Sequence, residues 1–106
     1  MELMQLEMFV AVAEEHSVRK AADRVYRTQP AVSLALNKLE HEIGTTLLER
    51  SRQHGCHLTQ AGEALYTYAS RIIGLRNEAL HTLRQERGEM LGRARVAAEA
   101  RPESGV

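Results

Sequence analysis

Between residues 28 and 41 the chain places polar and apolar side chains at intervals of three and four, so that they share one face of a helix. The amides of Gln29 and Asn37 can each pair with two atoms on the major-groove edge of adenine. Apolar side chains in the same row can contact the methyl group of thymine. We therefore expect this face to contact DNA bases, through five candidate side chains: Gln29, Pro30, Ser33, Leu34 and Asn37.

A second set of residues is suited to holding phosphate groups. Cations and hydroxyls fix a protein on the DNA backbone, and the N-terminus of a helix attracts anions through its free N–H groups. The candidates are Ser17, Arg19, Arg27, Thr28, Lys38, Arg50 and Arg52. Simpler roles are also possible. The hydroxyls of Ser17 and Thr28 can serve only as helix caps, and Arg50 can form an ion pair with Glu49 or Glu40. The polar face of the second helix can be ordinary solvated surface.

The net charge of the chain is compatible with nucleic-acid binding but is not evidence for it. The 106 residues hold fourteen basic and fourteen acidic side chains, whereas nucleic-acid-binding proteins are usually basic. The distribution is uneven: residues 1–16 hold four acids and no bases, and residues 17–58 hold seven bases and four acids. The segment with the candidate contacts is therefore the basic one.

The elements that must position these side chains are two short helices. Ser17 can cap a helix from Val18 to about Tyr26, and Thr28 can cap a second helix, Gln29–Ile43, with Pro30 in its first turn. Its apolar residues cover only about 60° of the helix surface; they are Val32, Leu36, Leu39 and Ile43. Gly44 can end the helix. Two helices joined by a short turn form a helix-turn-helix, although this turn lacks the usual glycine.

The residues that follow predict a small hairpin and a long helix. Residues 45–49 and 56–58 are predicted to pair around a turn at residues 51–55, and Thr59 can cap a helix from Gln60 to about Arg87. Its apolar residues follow a nearly heptad spacing that is typical of helix pairing; they are Leu65, Tyr68, Ile72, Leu75, Ala79 and Leu83. A helix of about 42 Å cannot bury such a stripe on one small domain. We expect a second copy to cover it, with packing against the first helix as the alternative.

The expected fold is thus mainly α, a winged helix-turn-helix with a two-stranded wing and a long C-terminal dimerisation helix. The predicted domains are residues 1–58, the dimerisation helix 59–88, and a hinge segment 89–106.

Other classes of function find little support in the sequence. His54, Cys56 and His57 offer three ligands at a spacing unusual for zinc, and a hairpin loop hardly supplies the buried geometry of a nucleophilic cysteine. We therefore expect no enzyme, metal or cofactor, and leave a redox role of Cys56 open. No apolar run is long enough to cross a bilayer, and Glu2 and Glu7 stand where a signal peptide would be basic. A single cysteine suits the cytoplasm.

Several segments together resemble the N-terminal region of LysR-type transcriptional regulators. They are residues 6–14, Ser17, Ala21-Ala22, residues 28–33, Leu39-Glu40, residues 47–50 and residues 58–62, and the resemblance covers about residues 1–88. It implies a regulator that binds double-stranded DNA as a homodimer through an antiparallel pair of the long helices, commonly assembled further into tetramers. It also implies a larger C-terminal effector domain, of which residues 92–96 resemble the first strand and the rest is missing.

The chain departs from the family pattern at a few positions. The family often has arginine near positions 4 and 7 and at position 34, where this chain has Met4, Glu7 and Leu34. Fewer cations lower the expected number of phosphate contacts. Together with the zero net charge, this leaves a second hypothesis open, a coiled-coil interaction module that no longer binds DNA.

Overall fold

The computed structural model describes the backbone of residues 1–100 and the side chains of residues 1–89. Its helices and strands follow one another as α1 (Leu3–Glu15), α2 (Val18–Val25), α3 (Gln29–Ile43), β1 (Leu48–Ser51), β2 (Gly55–Leu58) and α4 (Gln60–Ala100). The strands pair antiparallel, with Leu48 opposite Leu58 and Ser51 opposite Gly55. The mainly helical winged helix-turn-helix expected from the sequence is therefore confirmed.

Helix α1 is the centre of the core. Its residues from Met8 to Ala13 are all buried, because α2, α3 and β2 pack around it. The largest fully buried side chains include Phe9 of α1 and Leu36 and Leu39 of α3. The amino group of Met1 pairs with Glu42 at 2.7 Å and ties the start of α1 to the end of α3. A helix enclosed in this way cannot keep the single apolar face that a surface helix shows.

The turn between α2 and α3 is made without glycine. Tyr26 adopts the left-handed conformation (φ 58°) that ends α2, and the N–H of Arg27 donates to the carbonyl of Ala22 at 2.9 Å. Helix α3 then begins and ends where the sequence predicts, since Thr28 caps its start and Gly44 its end. One expectation fails at its last turn: Ile43 is 42% exposed and does not join the buried row of Val32, Leu36 and Leu39.

The first wing strand lies further along the chain than predicted. We expected residues 45–49, whereas β1 is Leu48–Ser51. Only half of the pairing continues to Leu47: its carbonyl accepts from the N–H of Thr59 at 3.0 Å in the register of the two strands, but its N–H donates to the Glu40 carboxylate at 2.7 Å. The regular pairing therefore begins at Leu48, and the turn contracts to residues 52–54.

Helix α4 begins in close contact with the segment before β1. The Thr59 hydroxyl accepts from the N–H of Gly62 at 3.0 Å and donates to the carbonyl of Thr46 at 2.7 Å, which confirms the predicted cap. Gly62 lies so near Leu47 that an added Cβ would sit 2.0 Å from the Leu47 carbonyl oxygen. Only glycine allows the helix to approach the strand this closely.

Helix α4 does not end near Arg87 as predicted. It continues through residues 92–96, where the family resemblance implies a strand. A strand needs a neighbouring strand for its backbone hydrogen bonds, whereas a helix satisfies them within its own segment. Residues 101–106 of the predicted hinge segment lie outside the described residues. Contacts divide the chain into a unit of Met1–Ile73 and a unit that begins at Gly74, so the first turns of α4 belong with the helix-turn-helix.

Candidate nucleic-acid interface

Both predicted hydroxyls cap their helices. The Oγ of Ser17 accepts from the N–H of Lys20 at 3.1 Å, and the Oγ1 of Thr28 accepts from the N–H of Ala31 at 3.2 Å. Capping uses the oxygen as an acceptor, and each hydroxyl hydrogen remains a donor. Thr28 is exposed and Ser17 is half-buried. The structure thus leaves both groups able to donate to a phosphate oxygen while they hold the helix starts.

The predicted base-contacting side chains lie together on the outer side of α3. Gln29, Pro30 and Asn37 are exposed, Leu34 is 56% exposed, and Ser33 is half-buried. On the opposite side Val32, Leu36 and Leu39 are 1% exposed or less. The buried row fixes the rotation of the helix, and it is this rotation that turns the five side chains outward.

The candidate cations are also exposed. They are Arg19, Arg27, Lys38, Arg50 and Arg52. Within the described residues, none of these five has a carboxylate within 4 Å. Glu40, one suggested partner of Arg50, instead accepts from the N–H groups of Leu47 and Leu48, at 2.7 and 3.3 Å. The five cations therefore keep their charge available to an external anion.

Arg24 was not predicted to contact a ligand, and the structure gives it another role. It pairs with Glu14 at 2.6 Å and with Glu15 at 3.3 Å, and so joins α2 to α1. The Tyr66 hydroxyl of α4 donates to Glu14 at 2.5 Å. This hydrogen bond, together with Arg24, lowers the pKa of Glu14 against the opposing effect of burial, and the same contacts raise the pKa values of Tyr66 and Arg24.

The wing is fixed to the end of α1 by two hydrogen bonds between the same two residues. The N–H of Cys56 donates to the carbonyl of His16 at 3.0 Å, and the Nδ1 of His16 lies 2.9 Å from the carbonyl oxygen of Cys56. Gly55 (φ 75°) is required beside them, because an added Cβ would lie 2.5 Å from the His16 oxygen. The Ser51 hydroxyl accepts from Gln53 and His54 and orders the turn. The wing arginines, Arg50 and Arg52, thus stand on an anchored hairpin.

The wing does not gather its thiol and imidazoles into one site. Cys56 is buried, His57 is exposed, and the ring of His57 contacts the carbonyl of His54 rather than its ring. Among the side chains of residues 1–89, no group of three or more His, Cys, Asp or Glu is arranged to hold a metal ion. The structure therefore offers no observation in favour of the zinc reading.

The sequence profile described as "Bacterial regulatory helix-turn-helix protein, lysR family" matches residues 3–63, more than half of the chain. This chain belongs to the lysR family. The resemblance found in the sequence is thus confirmed, and the matched residues extend from the start of α1 to the first turn of α4.

Named relatives of this lysR-family chain are regulators of transcription. The HTH-type transcriptional regulator BudR of Klebsiella aerogenes is 43% identical over 84 residues, which make up 79% of this chain and 58% of BudR. A probable RuBisCO transcriptional regulator of Cyanidioschyzon merolae is 42% identical over 81 residues, 76% of this chain and 26% of that protein. The chain thus spans less than two thirds of the length of either relative.

Solved structures of the family share the fold. A BenM DNA-binding-domain complex with the catB site 1 DNA superposes with a TM-score of 0.75 at 38% identity, over 80% of this chain and 93% of that chain. Full-length CbnR in complex with its target DNA gives a TM-score of 0.72 at 39% identity, over 79% of this chain and 29% of CbnR.

Sequence reasoning missed one exposed residue beside the lysR-family helix-turn-helix. Tyr26 is 91% exposed and lies directly before Arg27 and Thr28, with its hydroxyl available as a donor. The sequence predicts only that α2 ends near Tyr26 and gives no reason to single out its side chain. The missing glycine in the turn is the only sequence signal for its left-handed conformation.

The apolar residues of α4 divide between two environments. In the unit Met1–Ile73, Leu65 packs on the core together with Ala61 and Ile73, so the alternative of core packing is correct for Leu65. In the same unit Tyr68 and Ile72 are 61% and 37% exposed. In the unit that begins at Gly74, Leu75 and Leu83 are 64% and 60% exposed, and Ala79 is exposed as well. Along the described helices, none combines the length and apolar character needed to span a lipid bilayer.

Proposed function

We propose that this chain binds double-stranded DNA in a sequence-specific manner and regulates transcription. The observation that carries the proposal is that α3 has two different sides. One side buries Val32, Leu36 and Leu39, and the other exposes side chains that can form hydrogen bonds with bases, directly after a capped N-terminus. The names of the relatives, and the DNA in the titles of the BenM and CbnR structures, support the same function.

In this proposal α3 enters the major groove with Gln29, Pro30, Ser33, Leu34 and Asn37 toward the base edges. Each amide that pairs with two atoms of adenine contributes about 1–3 kcal/mol of discrimination. Phosphates are held by the capped helix starts at Ser17 and Thr28, by Arg19, Arg27 and Lys38, and by Arg50 and Arg52 of the wing. We add Tyr26 to this set because its hydroxyl is exposed beside Arg27.

The second part of the proposal is a homodimer formed through the long helix at residues 59–87. Leu75, Ala79 and Leu83 are exposed at steps of four residues along α4, and such an apolar row is suited to pairing with a second copy of the same helix. Two copies would place their α3 helices in successive major grooves, about one helical turn apart. The operator is then an inverted repeat.

We assign no enzymatic reaction to the chain and place it in the cytoplasm. The polar side chains of α3 are suited to base edges; Cys56 is buried, and the imidazole of His16 beside it contacts the Cys56 backbone carbonyl. A single thiol is compatible with a reducing compartment.

A selection experiment tests the proposal. The whole chain is incubated with a random-sequence duplex library, enriched duplexes are sequenced, and their affinity is measured by fluorescence anisotropy. We expect an inverted repeat. Gln29→Ala removes an amide that can pair with two atoms of adenine, so discrimination among bases at one position of each half-site should fall by about 5- to 150-fold. Ser33→Ala should also relax the selected sequence. Gln85→Ala is the matched control, because this exposed glutamine belongs to α4 and not to the helix-turn-helix. A stable dimer that binds every duplex equally would instead support the interaction module.

A further inference from the structure

Glu40 places a charged group on the inner side of α3. It lies four residues after the buried Leu36 and next to the buried Leu39, so its side chain shares the side of the helix that faces the core. Glu40 is half-buried, and a carboxylate in such a position needs hydrogen-bond donors in place of the water that it loses. Its negative charge also repels DNA phosphates. Attraction to DNA therefore gives no reason for a carboxylate here.

The donors come from the segment that leads into the wing. The Glu40 carboxylate accepts from the N–H of Leu47 at 2.7 Å and from the N–H of Leu48 at 3.3 Å. The Glu40 backbone carbonyl accepts from Gly44 at 2.8 Å and from Thr45 at 3.2 Å. Bonds to a charged acceptor are stronger than bonds between neutral groups. One residue of α3 thus holds the chain from the end of its own helix to the start of β1.

The other attachments of the wing lead to other helices. Strand β2 is held to the end of α1, where the N–H of Cys56 donates to the carbonyl of His16 at 3.0 Å. The carbonyl of Leu47 accepts from Thr59 at the start of α4, also at 3.0 Å. Neither of these bonds reaches α3. The Glu40 carboxylate connects the wing directly to the helix that we propose to enter the major groove.

This connection matters for the wing arginines. Arg50 and Arg52 follow Leu48 by two and four residues, so the position of Leu48 relative to α3 determines where their guanidinium groups can reach. A wing that is not fixed must be ordered when DNA binds, and that ordering reduces the gain from its phosphate contacts.

We propose that Glu40 is a positioning residue for DNA binding. Its carboxylate fixes the wing relative to α3, so that Arg50 and Arg52 meet phosphates while α3 lies in the major groove. The inference rests on the proposed function. It requires that Glu40 acts through the reach of its acceptor oxygen and not through its charge.

Two substitutions separate reach from charge. Glu40→Asp keeps the charge but shortens the side chain by about 1.5 Å, more than the 2.7 Å bond to the N–H of Leu47 can tolerate. Glu40→Gln removes the charge and keeps an acceptor oxygen at the same reach.

The measurement is the slope of log affinity against log salt, obtained by fluorescence anisotropy of the whole chain on its selected duplex. The four wing arginines of a dimer account for about 4 units of this slope. We expect Glu40→Asp to lower the magnitude of the slope by about 2 to 4, and Glu40→Gln to keep it within about 1 of the original chain.

Matched controls come from the same helix and from the wing. Glu42 is exposed and pairs with the amino group of Met1, so Glu42→Asp and Glu42→Gln should leave the slope unchanged. Arg50→Ala combined with Arg52→Ala should lower the magnitude by about 4 in the original chain and by less than about 2 in Glu40→Asp. The second loss is smaller because these arginines no longer make their full contacts in Glu40→Asp.

Circular dichroism shows whether each variant is folded. An undiminished slope in Glu40→Asp, or an equal effect of the arginine substitutions in both backgrounds, would overturn the inference and leave the proposed function standing. If Glu40→Asp does not fold, Glu40→Gln decides: a slope within about 1 of the original supports the inference, and a slope lowered as far as by removal of both arginines overturns it. If the original chain selects no duplex, both proposals are overturned.

Discussion

Gly62→Ala is expected to destabilise the protein although it replaces glycine by the best helix former. The new Cβ would lie 2.0 Å from the carbonyl oxygen of Leu47 and 3.1 Å from Cδ2 of Leu58. Carbon and oxygen in weak contact are about 3.3 Å apart, so α4 and the segment before β1 must separate by about 1.3 Å. The 3.0 Å hydrogen bond from Thr59 to Leu47 cannot survive that displacement.

The magnitude follows from three effects. Crowding costs about 1–3 kcal/mol, and a buried carbonyl left without its donor costs about 1–3 kcal/mol. Helix propensity returns about 1 kcal/mol. We expect the free energy of unfolding to fall by about 1–5 kcal/mol, a large part of the 5–15 kcal/mol typical of small domains. In a chain of this size each kcal/mol lowers the midpoint of thermal unfolding by about 4–8 °C.

The assay is urea unfolding followed by circular dichroism at one fixed protein concentration, because a dimer makes apparent stability depend on concentration. Gly74→Ala is the matched control: an added Cβ there meets nothing within 4 Å, so the same substitution should raise stability by about 0.5–1 kcal/mol. A Gly62→Ala variant as stable as Gly74→Ala would refute the close approach of α4 to Leu47.

Three further predictions concern the ionic network, the phosphate contacts and the dimer. Tyr66→Phe should lower the free energy of unfolding by about 1 kcal/mol at pH 7, because the hydrogen bond to Glu14 is lost. The pKa of Glu14 is lowered in the folded state, so the difference in stability between the variant and the original chain should shrink as the pH falls below about 4. Acid titrations of unfolding measure this difference. A plot of log affinity against log salt should have a slope near −9 if each protomer places its five free cations on phosphates, and Arg27→Ala should reduce that magnitude by about 2; a flat plot contradicts these contacts. Leu75→Glu combined with Leu83→Glu should convert the dimer to monomer in sedimentation velocity, while Gln85→Ala should not.

The bounds of helix α3 could be predicted because the local signals at both of its ends agree. Thr28 caps it, Pro30 fits its first turn, and Gly44 ends it at the left-handed position. The apolar spacing of 4, 3 and 4 gives its rotation, and the rotation determines which side chains face outward. The candidate base contacts follow from the same pattern, apart from the partial burial of Ser33.

The features that could not be predicted depend on contacts between distant residues. The start of β1 depends on the carboxylate of Glu40 in α3, which accepts hydrogen bonds from the N–H groups of Leu47 and Leu48. In the sequence Arg24 cannot be distinguished from the arginines that are candidate phosphate contacts. Only the folded structure shows that it pairs with Glu14 and Glu15. No sequence rule gives such pairings.

The apolar stripe of α4 shows a similar limit. Helical spacing predicts that Leu65 and Leu75 belong to the same apolar stripe of α4. It does not predict which residues of the stripe pack on the core. In the structure Leu65 belongs to the core and Leu75 is 64% exposed. The exposure of Tyr26 could not be predicted, because the absence of glycine from the turn does not say which residue adopts the left-handed conformation.

The central claim is that two copies place their α3 helices in successive major grooves. Its most direct test is fluorescence anisotropy of the whole chain on the selected inverted repeat and on the same repeat with 5 bp inserted between the half-sites. We expect strong binding to the first duplex, and affinity at least about 100-fold lower with the insertion, because half a helical turn moves one half-site to the opposite side of the DNA. Equal affinity for the two duplexes would contradict the placement of the two α3 helices in successive major grooves.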